Sequence, residues 1–138
     1  MAAKDKYHEH VKEALIKDGW TITDDPYVLS IRGTDYEIDL GAEKMIAATK
    51  ENDRILVEVK SLLRDSIVYE FHSVLGQFMA YRLNIKDLNL DRILYVAISY
   101  DAYKKILRLP AVLHYIEEFQ IKLIIFEIDT KQIKEWIK

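Results

Sequence analysis

Two short stretches, Arg92–Ser99 and Lys122–Ile128, are almost unbroken apolar runs. Each falls well short of the ~20 residues that cross a bilayer. Runs of this length, rich in Ile, Val, Leu and Phe, fit strands covered on both faces. A chain that must cover such strands twice over needs helices on both sides of a sheet, and the sequence supplies them. Residues ~4–18 carry an apolar stripe, Tyr7, Val11, Ala14 and Leu15, at helical spacing, and Gly19 follows as a stop. Residues ~66–84 form the clearest helix, with Phe71, Leu75, Phe78, Met79 and Leu83 as its expected buried face. Asp101 is placed to cap a short helix through Leu107, and Pro110 to open another through Phe119. Thr130 is expected to cap a last helix whose apolar side is Ile133, Trp136 and Ile137.

Short strands fill the first half. Trp20–Thr23 is strand-like and is broken by Asp24-Asp25-Pro26, and Tyr27–Ile31 is a second short strand ending at Arg32-Gly33. Tyr36–Leu40, Lys44–Thr49 and Arg54–Lys60 follow as a meander, with turns at Gly41 and at Glu51-Asn52-Asp53. The 138 residues suit a single domain spanning 1–138, a mixed α/β sandwich around a sheet of about five strands.

The meander carries the chemistry. In a strand, side chains alternate faces, so Ile55, Val57 and Val59 share one side and Leu56, Glu58 and Lys60 the other. A carboxylate two residues before a lysine is a weak signal by itself. Ordinary usage of these residue types gives roughly two such triplets in a chain of this length, and two occur, Glu58-Val59-Lys60 and Asp129-Thr130-Lys131. The second sits where a helix is expected to begin, and a cap explains it. The first closes an apolar strand, follows Asp39 across a hairpin and precedes the strongest helix. Asp39 and Glu58 offer hard oxygens of the kind Mg²⁺ takes, and the Val59 carbonyl offers a third. Lys60, on the face of Glu58, can polarise an attacking water and offset phosphate charge. Gln77 and Tyr81 lie four apart on one helix face, with Ser73 on the same side, and can support a phosphate or a metal-bound water. Each residue also has a plainer reading: a cross-strand ion pair for Glu58 and Lys60, a turn hydrogen bond for Asp39, the rim of the core for Gln77 and Tyr81. His8 and His10 are two apart on a helix and face different ways.

Composition narrows the class. The formal net charge is −3, whereas a protein that grips nucleic acid unaided is usually basic. Lys44, Lys50, Arg54, Arg64, Arg82 and Lys86 are the cations that could form a local phosphate-binding strip. The chain has no cysteine, which excludes a disulfide scaffold and thiolate metal sites. With no apolar leader at the start, this fits a cytoplasmic protein.

The order Asp39, then Glu58-Val59-Lys60, then Gln77-Phe78-Met79-Ala80-Tyr81 resembles the PD-(D/E)XK nuclease superfamily, and the Gln-x-x-x-Tyr pattern resembles its RecB-like branch. More narrowly, nearly the whole chain resembles the XisH family of fdxN-type element excision controlling factors, described in cyanobacteria that rearrange DNA elements. The lead-in Met1-Ala2-Ala3-Lys4-Asp5 and the run Ser73–Tyr81 carry that likeness. The resemblance implies a restriction-endonuclease-like αβββαβ core and a Mg²⁺ site, with Mn²⁺ as a substitute. It also implies hydrolysis of DNA phosphodiesters and a second small protein of the XisI family as partner, in a homodimer or hetero-oligomer. It implies metal ligation by Asp39, Glu58 and the Val59 carbonyl, with Lys60, Gln77 and Tyr81 in support. The first helix often adds an acid in this superfamily, and Glu13 is the choice here, with Glu9 second. Ile38 stands where the superfamily motif has its proline. A non-catalytic recombination accessory that binds DNA or a partner, and a plain oligomerisation domain, are the competing readings.

Overall fold

The computed structural model describes residues 4–46 and 51–138. The chain runs α1 (His8–Lys17), β1 (Thr21–Asp24), β2 (Tyr27–Ile31), β3 (Thr34–Ile38), β4 (Leu40–Ile46), β5 (Glu51–Val59), α2 (Ile67–Asp87), β6 (Ile93–Ser99), α3 (Tyr100–Ile106), α4 (Pro110–Glu118), β7 (Leu123–Glu127) and β8 (Gln132–Ile137). Six strands form one mixed sheet in the order β1-β4-β5-β6-β7-β8, and β2 and β3 form a separate two-stranded ribbon. The pairs β5/β6 and β6/β7 are parallel, and the flanking pairs are antiparallel. The three central strands are thus joined to one another by helical crossovers, as parallel pairing requires.

Alternation along these strands divides the interior in two. Leu56, Leu94, Val96, Ile98, Leu123 and Ile125 face α2, α3 and α4, where Phe71, Val74, Phe78, Ile106 and Val112 meet them. Ile55, Val57, Val59, Tyr95, Ala97, Ile124 and Phe126 face α1, with Val11, Ala14, Leu15 and Trp20. Both faces of the sheet are covered, which is the condition the two apolar runs impose.

The structure departs from the sequence expectations in five places. The segment after Thr130 is a strand, not a helix. β8 pairs with β7 through a bulge, so that Phe126 opposes Ile133 while Ile125 opposes Glu135. The extra residue, Lys134, shifts the phase by one and puts Ile133 and Trp136 on the α1 face while Ile137 faces the other way. A three-residue spacing that reads as helical is here two strand segments joined by a bulge. This also raises the main sheet from about five strands to six.

Second, α2 buries Ile67, Phe71, Val74, Phe78, Tyr81 and Ile85, and leaves Met79 and Leu83 exposed. The buried set advances by four and three in turn, which follows a straight stripe down the helix. Third, α3 is capped by the Ser99 hydroxyl, which accepts from the Ala102 amide at 3.0 Å, and Asp101 sits in the first turn. Fourth, β4 begins at Leu40, immediately after a break at Asp39, and not at Lys44, so the residues expected as turns, Gly41 and Glu51-Asn52-Asp53, lie within β4 and β5. Fifth, the strand expected at Tyr36–Leu40 is β3, Thr34–Ile38, and it pairs with β2 outside the main sheet and not with β4. The part of the expected Lys44–Thr49 strand beyond Ile46, and Lys50, lie outside the described residues.

Candidate functional site

Asp39 occupies the single residue between the end of the β3 ribbon and the start of β4. Leu40 opposes Val57 across the sheet, so Asp39 is carried to the C-terminal end of β5 beside Glu58 and Val59. The two acidic residues then lock each other in place. The Asp39 amide donates to Glu58 Oε1 at 3.1 Å, and the Val59 amide donates to Asp39 Oδ2 at 2.7 Å. Lys60 continues from β5, its amide donating to the Ala97 carbonyl at 3.0 Å, and its Nζ lies 3.4 Å from Glu58 Oε2.

Glu58 is 7 % exposed. Burial pushes its carboxyl up to about 7; the nearby Asp39 charge pushes the same way, and Lys60 and the Asp39 amide only partly offset them. Two carboxylates held against each other, one of them buried, are a donor set that a divalent cation would relieve. The donor set fits Mg²⁺: Asp39 and Glu58 as carboxylates, with the Val59 carbonyl adjoining.

From α2, Gln77 and Tyr81 reach the same place. Gln77 Nε2 donates to the Tyr81 hydroxyl at 2.9 Å, and that hydroxyl donates onward to the Glu37 carbonyl at 3.5 Å. Tyr81 is pushed up to about 12, chiefly by burial and then by the Glu58 charge, so its hydroxyl keeps its proton and stays a donor. Tyr36 stands edge-on to it at 5.9 Å. Asp39, Glu58, Val59, Lys60, Gln77 and Tyr81 all line one open cavity of about 760 Å³.

Glu13 is not among them. It is exposed on α1 and pairs with Lys17 at 3.7 Å and with Lys131 at 3.5 Å, because its turn of the helix faces the β7–β8 connection. The structure therefore removes Glu13 from the expected ligand set. The N-terminal segment brings Asp5 and His8 to the cavity instead, and the chain before β2 brings Asp25. Asp5 accepts from the amides of Tyr7 and Ser61, both at 2.9 Å, so it staples the start of α1 to the chain just past Lys60. His8 is buried, and its Nε2 meets Asp25 Oδ1 at 2.7 Å. Lys12 Nζ donates to the other Asp25 oxygen at 2.7 Å. Burial raises the Asp25 carboxyl, but hydrogen bonds from Lys12 and His8 outweigh it and hold the group below its ordinary value. Glu9, the second choice on α1, comes within ligand reach of His8 and Asp25 but is paired with Lys4 at 3.6 Å. No spacing rule could have found Asp5, His8 and Asp25, because the contacts that bring them to the cavity span 13 to 56 residues.

Among the described residues the expected cationic strip does not form. Lys44 pairs with Asp18, and Arg54 with Glu43, at the far end of β4 and β5. Arg82 is tied to the Phe119 carbonyl at 2.8 Å. Among the described residues, Arg64 is the one named cation that lies in a cavity with Lys60, and Ser73 lines that second cavity too.

The family model described as XisH protein matches residues 1–134. The chain belongs to the XisH family. Two solved structures agree with it closely. One is an XisH family protein from Nostoc punctiforme PCC 73102, 38% identical, with a TM-score of 0.87 over 97% of this chain and 100% of that one. The other is an fdxN element excision controlling factor protein from Anabaena variabilis, also 38% identical with a TM-score of 0.87, over 98% of this chain and 100% of that one. No curated protein matches this XisH chain. Among the described residues, no helix of this XisH family member is long and apolar enough to cross a membrane.

Proposed function

We propose that this XisH family protein is a DNA element excision controlling factor with a PD-(D/E)XK-type centre that hydrolyses DNA phosphodiesters with Mg²⁺, or Mn²⁺ in its place. The supporting observation is the interlocked set of Asp39, Glu58, Val59 and Lys60 in one cavity with Gln77 and Tyr81. A bound divalent ion supplies a polarised phosphate oxygen and a more acidic water. Asp39 and Glu58 hold the ion, with the Val59 carbonyl beside them. Lys60, beside Glu58, would hold the attacking water or the phosphate oxygens. Gln77 fixes the Tyr81 hydroxyl, and the pair would orient a phosphate bound in the cavity. Asp5, by tying α1 to Ser61, holds Lys60 in register.

The test uses the protein with and without a small XisI family partner, on supercoiled and branched DNA in Mg²⁺ or Mn²⁺. Cleavage by wild type that is lost in Lys60→Ala supports the reading. Equal inertness of the two proteins in every combination rejects it.

A second reading has its own support. The net charge is −3 and most cations near the sheet are committed to ion pairs. A non-catalytic accessory that leaves DNA contact to a partner would look like this. Calorimetric titration with Mn²⁺ separates the two: tight binding that disappears in Asp39→Asn favours the hydrolytic centre, and its absence favours the accessory.

A further inference from the structure

Beside the Asp39–Glu58 cavity lies a second one of about 670 Å³, and Lys60 lines both. It is framed by the link from β5 to α2 and by the first turns of α2, with Arg64, Tyr69 and Ser73 on its walls. The link has an unusual path. Leu62 takes φ +52°, a left-handed conformation that costs a leucine about 1 kcal/mol, while its side chain is 2 % exposed. That turn plugs Leu62 into the core and throws the next two residues, Leu63 and Arg64, outward. The Arg64 amide donates to Glu70 Oε1 at 3.1 Å, which pins the link to α2. The Arg64 guanidinium has no ion pair or acceptor among the described residues, unlike Arg32, Arg54, Arg82 and Arg92.

Tyr69 is 74 % exposed, the most exposed large apolar side chain among the described residues. It is not isolated. Its ring stands edge-on to His72 at 5.8 Å, and His72 stands 5.8 Å from the partly buried Tyr115 of α4, so a row of three rings joins the cavity wall to α4. The cavity's charges balance, with Lys60 and Arg64 against Asp65 and Glu70. A phosphate by itself gains little from such a balance. A neutral planar group gains more: it can stack on Tyr69 and hydrogen-bond to Ser73 and to both kinds of charged group at its edge.

We infer that this cavity holds an unpaired nucleobase stacked on Tyr69, with Arg64 on the adjoining phosphate, next to the phosphate bound at Lys60. The inference rests on the hydrolytic reading of the Asp39–Glu58 centre and gives it a substrate class. The DNA must have a splayed or single-stranded nucleotide beside the scissile phosphate, as at a fork or flap, because a base paired in a duplex cannot present its face to Tyr69.

The test is a forked DNA carrying 2-aminopurine in its unpaired arm, in Ca²⁺, read by fluorescence and by anisotropy. Wild type and Tyr69→Phe are expected to quench the probe and to bind the fork in preference to paired duplex. Tyr69→Ala is expected to lose the quench and bind about tenfold more weakly, the size of one base–aromatic stack. Arg64→Ala is expected to weaken binding and flatten its salt dependence while keeping the quench. An unchanged quench and affinity in Tyr69→Ala, equal binding of fork and duplex by wild type, or no DNA binding at all overturns the subsite. So does a Tyr69→Ala protein that loses only a protein partner. Mn²⁺ titration and Lys60→Ala cleavage judge the hydrolytic centre separately. Metal-dependent cleavage indifferent to Tyr69 removes the subsite alone; a Tyr69-dependent quench without metal binding removes the centre alone.

Discussion

Replacing Glu58 with glutamine is expected to stabilise the metal-free protein at pH 8. The Glu58 carboxyl is pushed up to about 7 from an ordinary 4.5. Between those values the folded chain binds a proton that the unfolded chain has released, so folding stability falls as pH rises from 4.5 to 7 and is flat above. At ~1.4 kcal/mol per pH unit, the charged Glu58 costs the fold about 3 kcal/mol at pH 8. Glutamine is uncharged throughout. Its amide oxygen keeps the bond from the Asp39 amide, and its NH₂ can donate to the Asp39 carboxylate. The variant forfeits the 3.4 Å contact with Lys60, a partly exposed pair worth little. A net gain of about 1–3 kcal/mol follows, which raises Tm by roughly 4–10 °C for a domain of this size. The assay is thermal unfolding in EDTA at pH 8 and pH 5, repeated with Mn²⁺. The gain is expected to shrink at pH 5, where Glu58 is mostly protonated when folded. With Mn²⁺ the order reverses, because wild type gains binding energy that Glu58→Gln loses. A variant less stable than wild type at pH 8 in EDTA, or a difference that ignores pH, would refute this. Glu58 would then be one half of a structural ion pair with Lys60.

Three further outcomes follow from the geometry. Glu13→Gln leaves Mn²⁺ affinity unchanged by calorimetry, because its carboxylate pairs with Lys17 and Lys131 away from the cavity. Ser99→Ala costs about 1 kcal/mol in urea unfolding, the value of a lost N-cap, whereas Asp101→Ala costs less than half of that. Trp136→Ala costs about 2–3 kcal/mol in the same assay, because the ring lies 5.1 Å from Tyr95 and 5.7 Å from Trp20.

How far the sequence could be read depended on the range of the interaction. The alternation of Ile55 to Lys60 assigned each side chain to a face, and the interior follows that assignment on β5. The four-residue spacing of Gln77 and Tyr81 set them together, and their hydrogen bond confirms the shared face. Where two signals overlapped, the local reading failed. Ile133 and Trp136 have helical spacing and also strand alternation with one residue inserted, and only the pairing partner β7 decides between them. Met79 lies one residue past Phe78 and Leu83 two residues from both Tyr81 and Ile85, off the buried stripe of α2, and the position of the sheet beneath sets which stripe is covered.

By itself, then, the sequence determined the alternation of strands and helices, the need to cover the sheet on both sides, and the acidic–lysine group at the end of β5. Those properties depend on residues a few positions apart, where backbone period fixes geometry. Tertiary structure decided that β8 is an edge strand. It also decided that Glu13 pairs with Lys131, that Asp5 reaches Ser61 and that His8 reaches Asp25. These choices join elements far apart in the chain, and they exist only after the two apolar cores have brought those elements together.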